Sequence, residues 1–438
     1  MEFDVSFTNK EITPWGGMVF LKQMLDKIGF KSQILSCKDL PQPQSNRGHK
    51  VSTILEVFIA SIWCGANRFM HTEVTRHDIA LGKIFNWDII PAQDTYKRFF
   101  NKFNQATNQK VSDHFYSWIF DNFKFDNFTL DIDSSVMTRY GDQEGAKKGY
   151  NPAKKGRLSH HPLIAFVNDV KLVANMWLRS GESASANNFL PFLEDTLSKL
   201  KNKSVSLIRL DSGFFQKDIL DYLEHTSKKY IVAAKFNHPI QRIINQSHNW
   251  VLLDEGIEIC EQNYQAQSWD PPPRRMVVVR QKLKERPKAP GKMLSLFPED
   301  EVHKNYRYSA YFTNLEFAPA EIWRLYRGRG DAENRIKELK YDFGFDSFNL
   351  NGFFPTEAAL TFVMIAYNLM SLFRTFVLQE KTQKTLTTIR YRTFAIGAYF
   401  EKINGKLVLK VALNKKRRNW FLGLWNYPIK YPFEIPIA

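Results

Sequence analysis

The chain of 438 residues carries 61 Lys and Arg against 45 Asp and Glu, a formal net charge of +16, with 44% hydrophobic and 14% aromatic residues. Such apolar content supports about two or three packed domains and excludes disorder as the main state, while the positive balance favours a polyanionic partner, nucleic acid first, over a small neutral substrate. Cys37, Cys64 and Cys260 are scattered, with no CxxC or Cys/His pairing, which excludes a disulfide framework and a zinc site and fits a reducing cytosol.

The start, MEFDVSFTNKEITP, has no basic segment followed by an apolar stretch, so no secretory signal is expected. Residues 1–125 read as a helical N-terminal DNA-binding region, with apolar positions at helical spacing in Thr53 to Trp63 and Phe115 to Phe123. Asp94 is a suitable N-cap for a short helix that carries Lys97 and Arg98, as a recognition helix could; a solvated basic face on an ordinary bundle helix fits the same residues.

From Phe128 the texture changes. FTLDIDS (Phe128 to Ser134), HPLIAFVN (His161 to Asn168) and KLVANMWLR (Lys171 to Arg179) read as three consecutive strands. A helix through Phe189, Leu193, Leu197 and Leu200 follows, then a strand from Val205 to Leu210, a helix from Lys217 to Leu223, and a strand from Tyr230 to Lys235. The order βββαβαβ predicts a mixed sheet flanked by helices over residues 126–235. Residues 236–317 read as a β-rich insertion, with strands at Trp250 to Leu253, Met276 to Arg280 and Tyr306 to Thr313. Its Pro271-Pro272-Pro273 centre and the basic stretch to Lys292, whose one acid is Glu285, suit a flexible, phosphate-seeking loop or a merely solvated one. Trp269 beside the prolines suits a loop anchor better than a stacking platform for a flipped base.

Residues 318–380 return to helix. Asp331 is the expected N-cap of a helix that runs to Tyr341 and stops at Gly344, and Thr356 to Leu378 is a second helix, apolar on nearly every face. Its apolar run, Ala358 to Phe373, is about one turn short of a bilayer span and is interrupted by Thr361, Asn368 and Ser371, so it is expected inside the protein, with no membrane role. Residues 381–438 form a basic C-terminal region ending its charge run at Lys415-Lys416-Arg417-Arg418, an electrostatic handle for DNA.

No glycine-rich phosphate cradle, GxSxG elbow or HExxH is present. Instead, Asp133 and Asp211 close apolar strands, where a buried carboxylate costs several kcal/mol unless a cation or donor compensates. Magnesium takes oxygen ligands, and two such ions about 4 Å apart can activate an attacking oxygen and stabilise a leaving one at a phosphodiester. A single strand-end Asp is more often a turn former, so a third carboxylate matters. Tyr326, Arg329, Glu333 and Lys340 have the spacing Tyr-x2-Arg-x3-Glu-x6-Lys, whose steps of four and seven return to one helical face. Lys337 shares that face and suits an i,i+4 ion pair with Glu333; Glu338 points away.

That signature, with LDIDSS (Leu130 to Ser135) and RLDSGFF (Arg209 to Phe215) upstream, resembles a DDE-type bacterial insertion-sequence transposase of the IS thirteen-eighty-like subgroup. Thr13-Pro14-Trp15-Gly16-Gly17, Gly149-Tyr150-Asn151-Pro152, Gly156-Arg157 and His161-Pro162 are also similar to that subgroup, so the resemblance touches most of the chain. It implies an α/β fold: an RNase H-like mixed-sheet catalytic core interrupted by a β-rich insertion. It also implies Asp133, Asp211 and Glu333 as ligands of two Mg²⁺ ions, with Mn²⁺ as a substitute, and Tyr326, Arg329, Lys337 and Lys340 as phosphate contacts. Asp133 is preferred to Asp131 because it precedes two hydroxyl residues, as in the family's first motif. Lys147, Lys148, Lys154, Lys155 and Arg157 form a basic hairpin near Asp133, suited to DNA-backbone contact. His160 and His161 are adjacent, face opposite ways in a strand, and read as structural.

The function implied is cut-and-paste transposition: two-metal hydrolysis and strand transfer at terminal inverted repeats through hairpin ends, by a homodimer acting on its own element's double-stranded DNA and a target DNA. The setting is the bacterial cytoplasm, at the nucleoid when DNA is bound. An RNase H-like nuclease or junction resolvase would use the same carboxylates without strand transfer. A domesticated, non-catalytic DNA-binding regulator would not need them.

Overall fold

A computed structural model describes residues 3–45, 48–266, 269, 272–283, 306–380 and 382–434. The strands of its main sheet are β1 (Phe128–Ser134), β2 (Leu163–Val167), β3 (Leu172–Trp177), β4 (Val205–Leu210), β5 (Tyr230–Ala233), β6 (Val251–Asp254), β7 (Ile257–Tyr264), β8 (Arg274–Lys282) and β9 (Tyr306–Thr313). Their spatial order is β6-β7-β8-β9-β5-β4-β1-β2-β3. β1 runs parallel to β4, and β4 parallel to β5; β2 and β3 are antiparallel additions on the other side of β1. The run of strands and helices predicts such a mixed sheet, and its strand order is the RNase H-like one that the resemblance implies.

β1 and β2 are buried on both faces, which explains why LDID and LIAFV read as continuous apolar runs broken only by aspartates. The helix Phe189–Leu200 packs on β2 and β3, and a 24-residue helix, Phe353–Phe376, packs on β3. The latter is long and apolar enough to cross a membrane, yet 94% of its apolar window is buried inside the protein, as a core helix would be. It begins three residues earlier and ends two earlier than the apolar pattern suggests. The N-terminal helix Val51–Cys64, buried at every position but Thr53, packs against it, and Trp63 Nε1 donates to the Ala366 carbonyl at 3.1 Å. The helical N-terminal region and the sheet therefore share one core.

The strands expected in the insertion are present, and they continue the same sheet. β9 pairs antiparallel with β5, Ile231 opposite Thr313, and β8, β7 and β6 follow outward as antiparallel neighbours. Lys284 to Lys292, most of the expected phosphate-seeking loop, lies outside the described residues. The basic tail folds as a hairpin, β10 (Ala398–Ile403) and β11 (Lys406–Val411), to which the short strand Ile12–Thr13 adds through β10, followed by the helix Lys415–Trp425.

Two capping expectations are corrected. The helix carrying Lys97 and Arg98 spans Gln93–Phe100 with Ala92 as N-cap, so Asp94 sits in its first turn and pairs with Lys97 at 3.3 Å. The helix carrying Glu333 spans Gly330–Phe343 with Arg329 as N-cap, and Asp331 again lies in the first turn. In both, the acid favours the positive end of the helix dipole without bonding the backbone as a cap. Gly344 does end the second helix, at φ +69°, where a Cβ would stand 2.6 Å from the Asn67 carbonyl oxygen.

Asn368 fastens the long helix to the sheet margin. Its Oδ1 accepts from Val173 N at 2.8 Å and its Nδ2 donates to Val173 O at 2.9 Å, where the β2–β3 register slips past Ala174. Asn368→Leu keeps the branched shape and the number of side-chain heavy atoms but leaves both buried polar groups of Val173 without a partner. The expected loss is about 2–4 kcal/mol, read as a lowered midpoint in urea unfolding.

Candidate active site

The last paired residues of the two central parallel strands are Ile132 and Leu210, in register with each other. The next residue on each chain is an aspartate, so Asp133, which still pairs with Ile164 of β2, and Asp211, just past the end of β4, lie side by side at the carboxyl ends of the two strands. Asp211 turns at once: its Oδ1 accepts from Gly213 N at 2.8 Å and caps the 3-10 turn Ser212–Phe214. Gly213 is required by crowding, since a Cβ would meet the Ser185 side chain at 2.8 Å and Asp211 Oδ1 at 2.9 Å. Ser185 Oγ in turn lies 2.8 Å from Ser134 Oγ and ties this wall to β1.

Asp133 is 8% exposed. Its Oδ1 accepts from Ser134 N at 2.8 Å and its Oδ2 lies 2.9 Å from Arg329 Nη2. Burial raises its pKa to about 6; Arg329 opposes the shift, and the charges of Asp211 and Glu333 add to it. Burial therefore outweighs the guanidinium beside it, and the two neighbouring carboxylates add less than burial does. Arg329 is 5% exposed, and its Nε and Nη2 meet no hydrogen-bond acceptor with acceptable geometry despite the ion pair. Glu333, one turn further on, places Oε1 3.6 Å from Arg329 Nη1 and keeps its side chain 60% exposed. Its ion partner is therefore Arg329, four residues before it, rather than Lys337, which lies exposed on the same helix.

Lys340 Nζ donates to the Val136 carbonyl at 2.9 Å, just past the end of β1; burial lowers its pKa, against the pull of Asp346 and Asp133. The Tyr326 ring packs on Tyr311, with centroids 4.5 Å apart, and burial raises its hydroxyl pKa, with Asp211 and Asp133 adding to the rise. Tyr326, Arg329, Glu333 and Lys340 thus all turn toward the strand ends that carry the aspartates.

The structure separates Asp131 from Asp133. Asp131 is fully buried and faces Arg209 directly across the β1–β4 ladder, with Arg209 Nε 2.6 Å from Oδ1 and Nη2 2.7 Å from Oδ2. Arg209 also donates to the Leu325 carbonyl. Glu338 is likewise engaged, with Arg374 and with Leu386 N at 2.8 Å. Sequence reasoning missed the Asp131–Arg209 brace and the Ser134–Ser185–Gly213 wall. The first was accessible, because each residue stands two before its strand-end aspartate in parallel strands; the second needs the fold.

The basic residues fall in two places. Lys147 and Lys148 pair antiparallel with Ser159 and Leu158 in a small sheet completed by Met137–Thr138, three residues beyond β1. Lys147 Nζ lies 3.2 Å from Glu182, Lys154 and Arg157 stand over the Tyr140 ring, and Lys155 is exposed. Lys97 and Arg98 belong to the N-terminal bundle and bond Asp94 and Thr95 of their own helix. His160 bonds Arg139 Nε and the Glu144 carbonyl, and His161 the Ser183 carbonyl, so the two serve different walls. Trp269 packs on Phe215, Tyr264 and Phe312 as a loop anchor.

Among the described residues, no three His, Cys, Asp or Glu side chains converge into a metal cluster. The donor chemistry nonetheless suits a hard divalent cation: carboxylate oxygens only, on a buried edge where Asp133 is held above its ordinary pKa. Strand-end aspartates beside a buried guanidinium are an arrangement suited to phosphodiester chemistry. The family model described as "Transposase DDE domain group 1" matches residues 1–426, and the chain belongs to that family; it is a DDE transposase. No curated protein matches it. Seven chains among solved structures do. One is the piggyBac transposase in a cryo-EM synaptic complex with hairpin DNA, at 13% identity and a TM-score of 0.48, covering 86% of this chain and 79% of that one.

The two neighbouring aspartates are predicted to respond unequally. Asp131→Asn strips a buried Arg209 of its counter-charge and is expected to cost about 3–5 kcal/mol. Asp133→Asn also takes a counter-charge from a buried arginine, but it removes a carboxylate that burial disfavours and leaves Arg329 with Glu333 at 3.6 Å, so it is expected to cost less than Asp131→Asn. Thermal unfolding of the two variants side by side reads the difference.

Proposed function

We propose that Asp133, Asp211 and Glu333 form the metal-binding triad of this transposase and that Arg329 receives the scissile phosphate. The observation that supports this most directly is the buried Arg329 guanidinium, which lies 2.9 Å from Asp133 yet has N–H groups without an acceptor. A phosphate oxygen at the strand ends would accept them in charge-assisted hydrogen bonds. Lys340 and Tyr326 would add a charge and a hydroxyl donor to the adjacent phosphates, and the Lys147–Arg157 hairpin with Lys337 would hold the flanking backbone. Lys97 and Arg98, with the rest of 1–125, would contact DNA further from the cut.

Two divalent ions, Mg²⁺ or Mn²⁺, would lower the pKa of the attacking oxygen and stabilise the leaving one. The chain's own part is to fix three carboxylates on rigid elements and to neutralise the phosphate with Arg329. In this reading the enzyme first hydrolyses a strand at its element's terminal inverted repeat. The freed 3′-hydroxyl then displaces at the opposite strand, giving a hairpin end, and later at target DNA. Two copies act together, one per end, at the bacterial nucleoid.

The test incubates purified protein and Mg²⁺ with labelled linear DNA carrying the gene's own flanking ends. Wild type should cut at the element boundary, and the cut should disappear in EDTA and fall at least about 10³-fold in Glu333→Ala. If wild type binds these ends and leaves them intact in both Mg²⁺ and Mn²⁺, the catalytic reading fails and a DNA-binding regulator is the better account. Arg329→Lys keeps the charge but loses the planar fork; about a 10²-fold loss of cleavage is expected, with end binding in a gel-shift assay changed less than about threefold.

A further inference from the structure

Away from the carboxylates, two apolar surfaces lack partners among the described residues. The first is the outer edge of β11. In its small sheet the order is Ile12–Thr13, β10, β11, so β11 is the open margin, and among the described residues no strand pairs with it. Beside it runs the helix Lys415–Trp425, none of whose residues is buried. Together they enclose a groove of about 520 Å³, lined by Leu407, Leu409, Val411, Phe421, Leu422 and Trp425. Leu407 is 60% exposed and Trp425 44%. An unpaired strand edge lined with apolar side chains is a template for an added strand.

The second surface is the segment before Ile12. Phe3, Val5 and Phe7 are 75%, 80% and 99% exposed, and Asp4, Ser6 and Thr8 alternate with them. That period of two is the pattern of a strand with one face to bury. Its charge is also opposite to that of the groove: Asp4 in the segment against Lys406, Lys410 and Arg418 around β11.

We propose that residues 3–7 of one copy add as a strand to the β11 edge of a second copy, seating Phe3, Val5 and Phe7 in the groove. Reaching its own β11 edge would strain the chain: Ile12–Thr13 lies on the far side of β10, three strand spacings, about 14 Å, from the lane beyond β11, and the five Cα steps from Phe7 to Ile12 reach about 17 Å fully extended, so only about 3 Å is left for a turn at each end. Exchanged reciprocally, two arms close a two-fold dimer. The surface is remote in the chain from the carboxylates, and the proposal does not rest on how they act.

The experiment uses the full-length protein without DNA. The three native cysteines are buried, so introduced thiols report alone. Phe7→Cys and Leu409→Cys chains are prepared separately, mixed and treated with a short bismaleimide. The expected result is a cross-linked dimer from the mixture, at least tenfold weaker from either chain alone, and at least tenfold weaker when Val5→Asp is added to the Phe7→Cys chain. Val5 is exposed, so this variant should keep the wild-type circular dichroism and melting curve. Three results would overturn the proposal: Leu409→Cys alone cross-linking as strongly as the mixture, which would mean groove against groove; a double-cysteine chain that cross-links only within itself; or no cross-link, with a monomer by light scattering at every concentration. DNA cleavage is scored separately, so failure here leaves the active-site reading untouched.

Discussion

The parallel pairing of β1 with β4 is the constraint on which the rest of the molecule depends. It sets Asp133 and Asp211 side by side at the carboxyl ends of two central strands, and it is held at their base by the Asp131–Arg209 ion pair across the same two strands. Both charges of that pair are buried, so its worth lies less in net stability than in register: a slip by one residue would leave an unpaired charge on each strand. Arg209 also reaches the Leu325 carbonyl, one residue before Tyr326. The brace therefore ties the helix that leads into Arg329 and Glu333 to the strands that carry the aspartates.

Above the brace the electrostatics are deliberately unbalanced. Asp133, Asp211 and Glu333 gather negative charge around one buried guanidinium, and that guanidinium does not spend all its donors. Arg335 and Arg374 also keep buried N–H groups without an acceptor, so what sets Arg329 apart is its place between Asp133 and Glu333 beside the ends of β1 and β4.

Much of this was legible in the chain. FTLDIDS and SLIRLDSG announce strands that end on aspartates because apolar runs of that length, broken by turn residues, have few alternatives, and the Tyr-x2-Arg-x3-Glu-x6-Lys spacing places its residues on one face by helical arithmetic alone. Cap positions were not legible: Asp94 and Asp331 are good N-caps by type, yet the caps fall two residues earlier, at Ala92 and Arg329, neither of which caps through its side chain. The partner of Glu333 stayed open in the sequence for a related reason. Lys337 and Arg329 both lie four residues away, and only the fold shows that Arg329 is the one drawn inward by Asp133. The Ser185 wall was invisible because it joins segments about fifty residues apart through a contact that no local pattern encodes.

The continuity of β6 to β9 with the core sheet has a mechanical meaning. Eight spacings of about 4.8 Å make a hydrogen-bonded plank about 38 Å wide, close to the roughly 34 Å of one turn of B-form DNA. Strands in such a plank each rotate by about 20–25° relative to the last, so from β3 to β6 the surface normal swings through about half a circle. The molecule is thus built like a propeller blade: a load taken at the insertion margin is carried as torsion, through unbroken backbone ladders, to the two strands that bear the carboxylates.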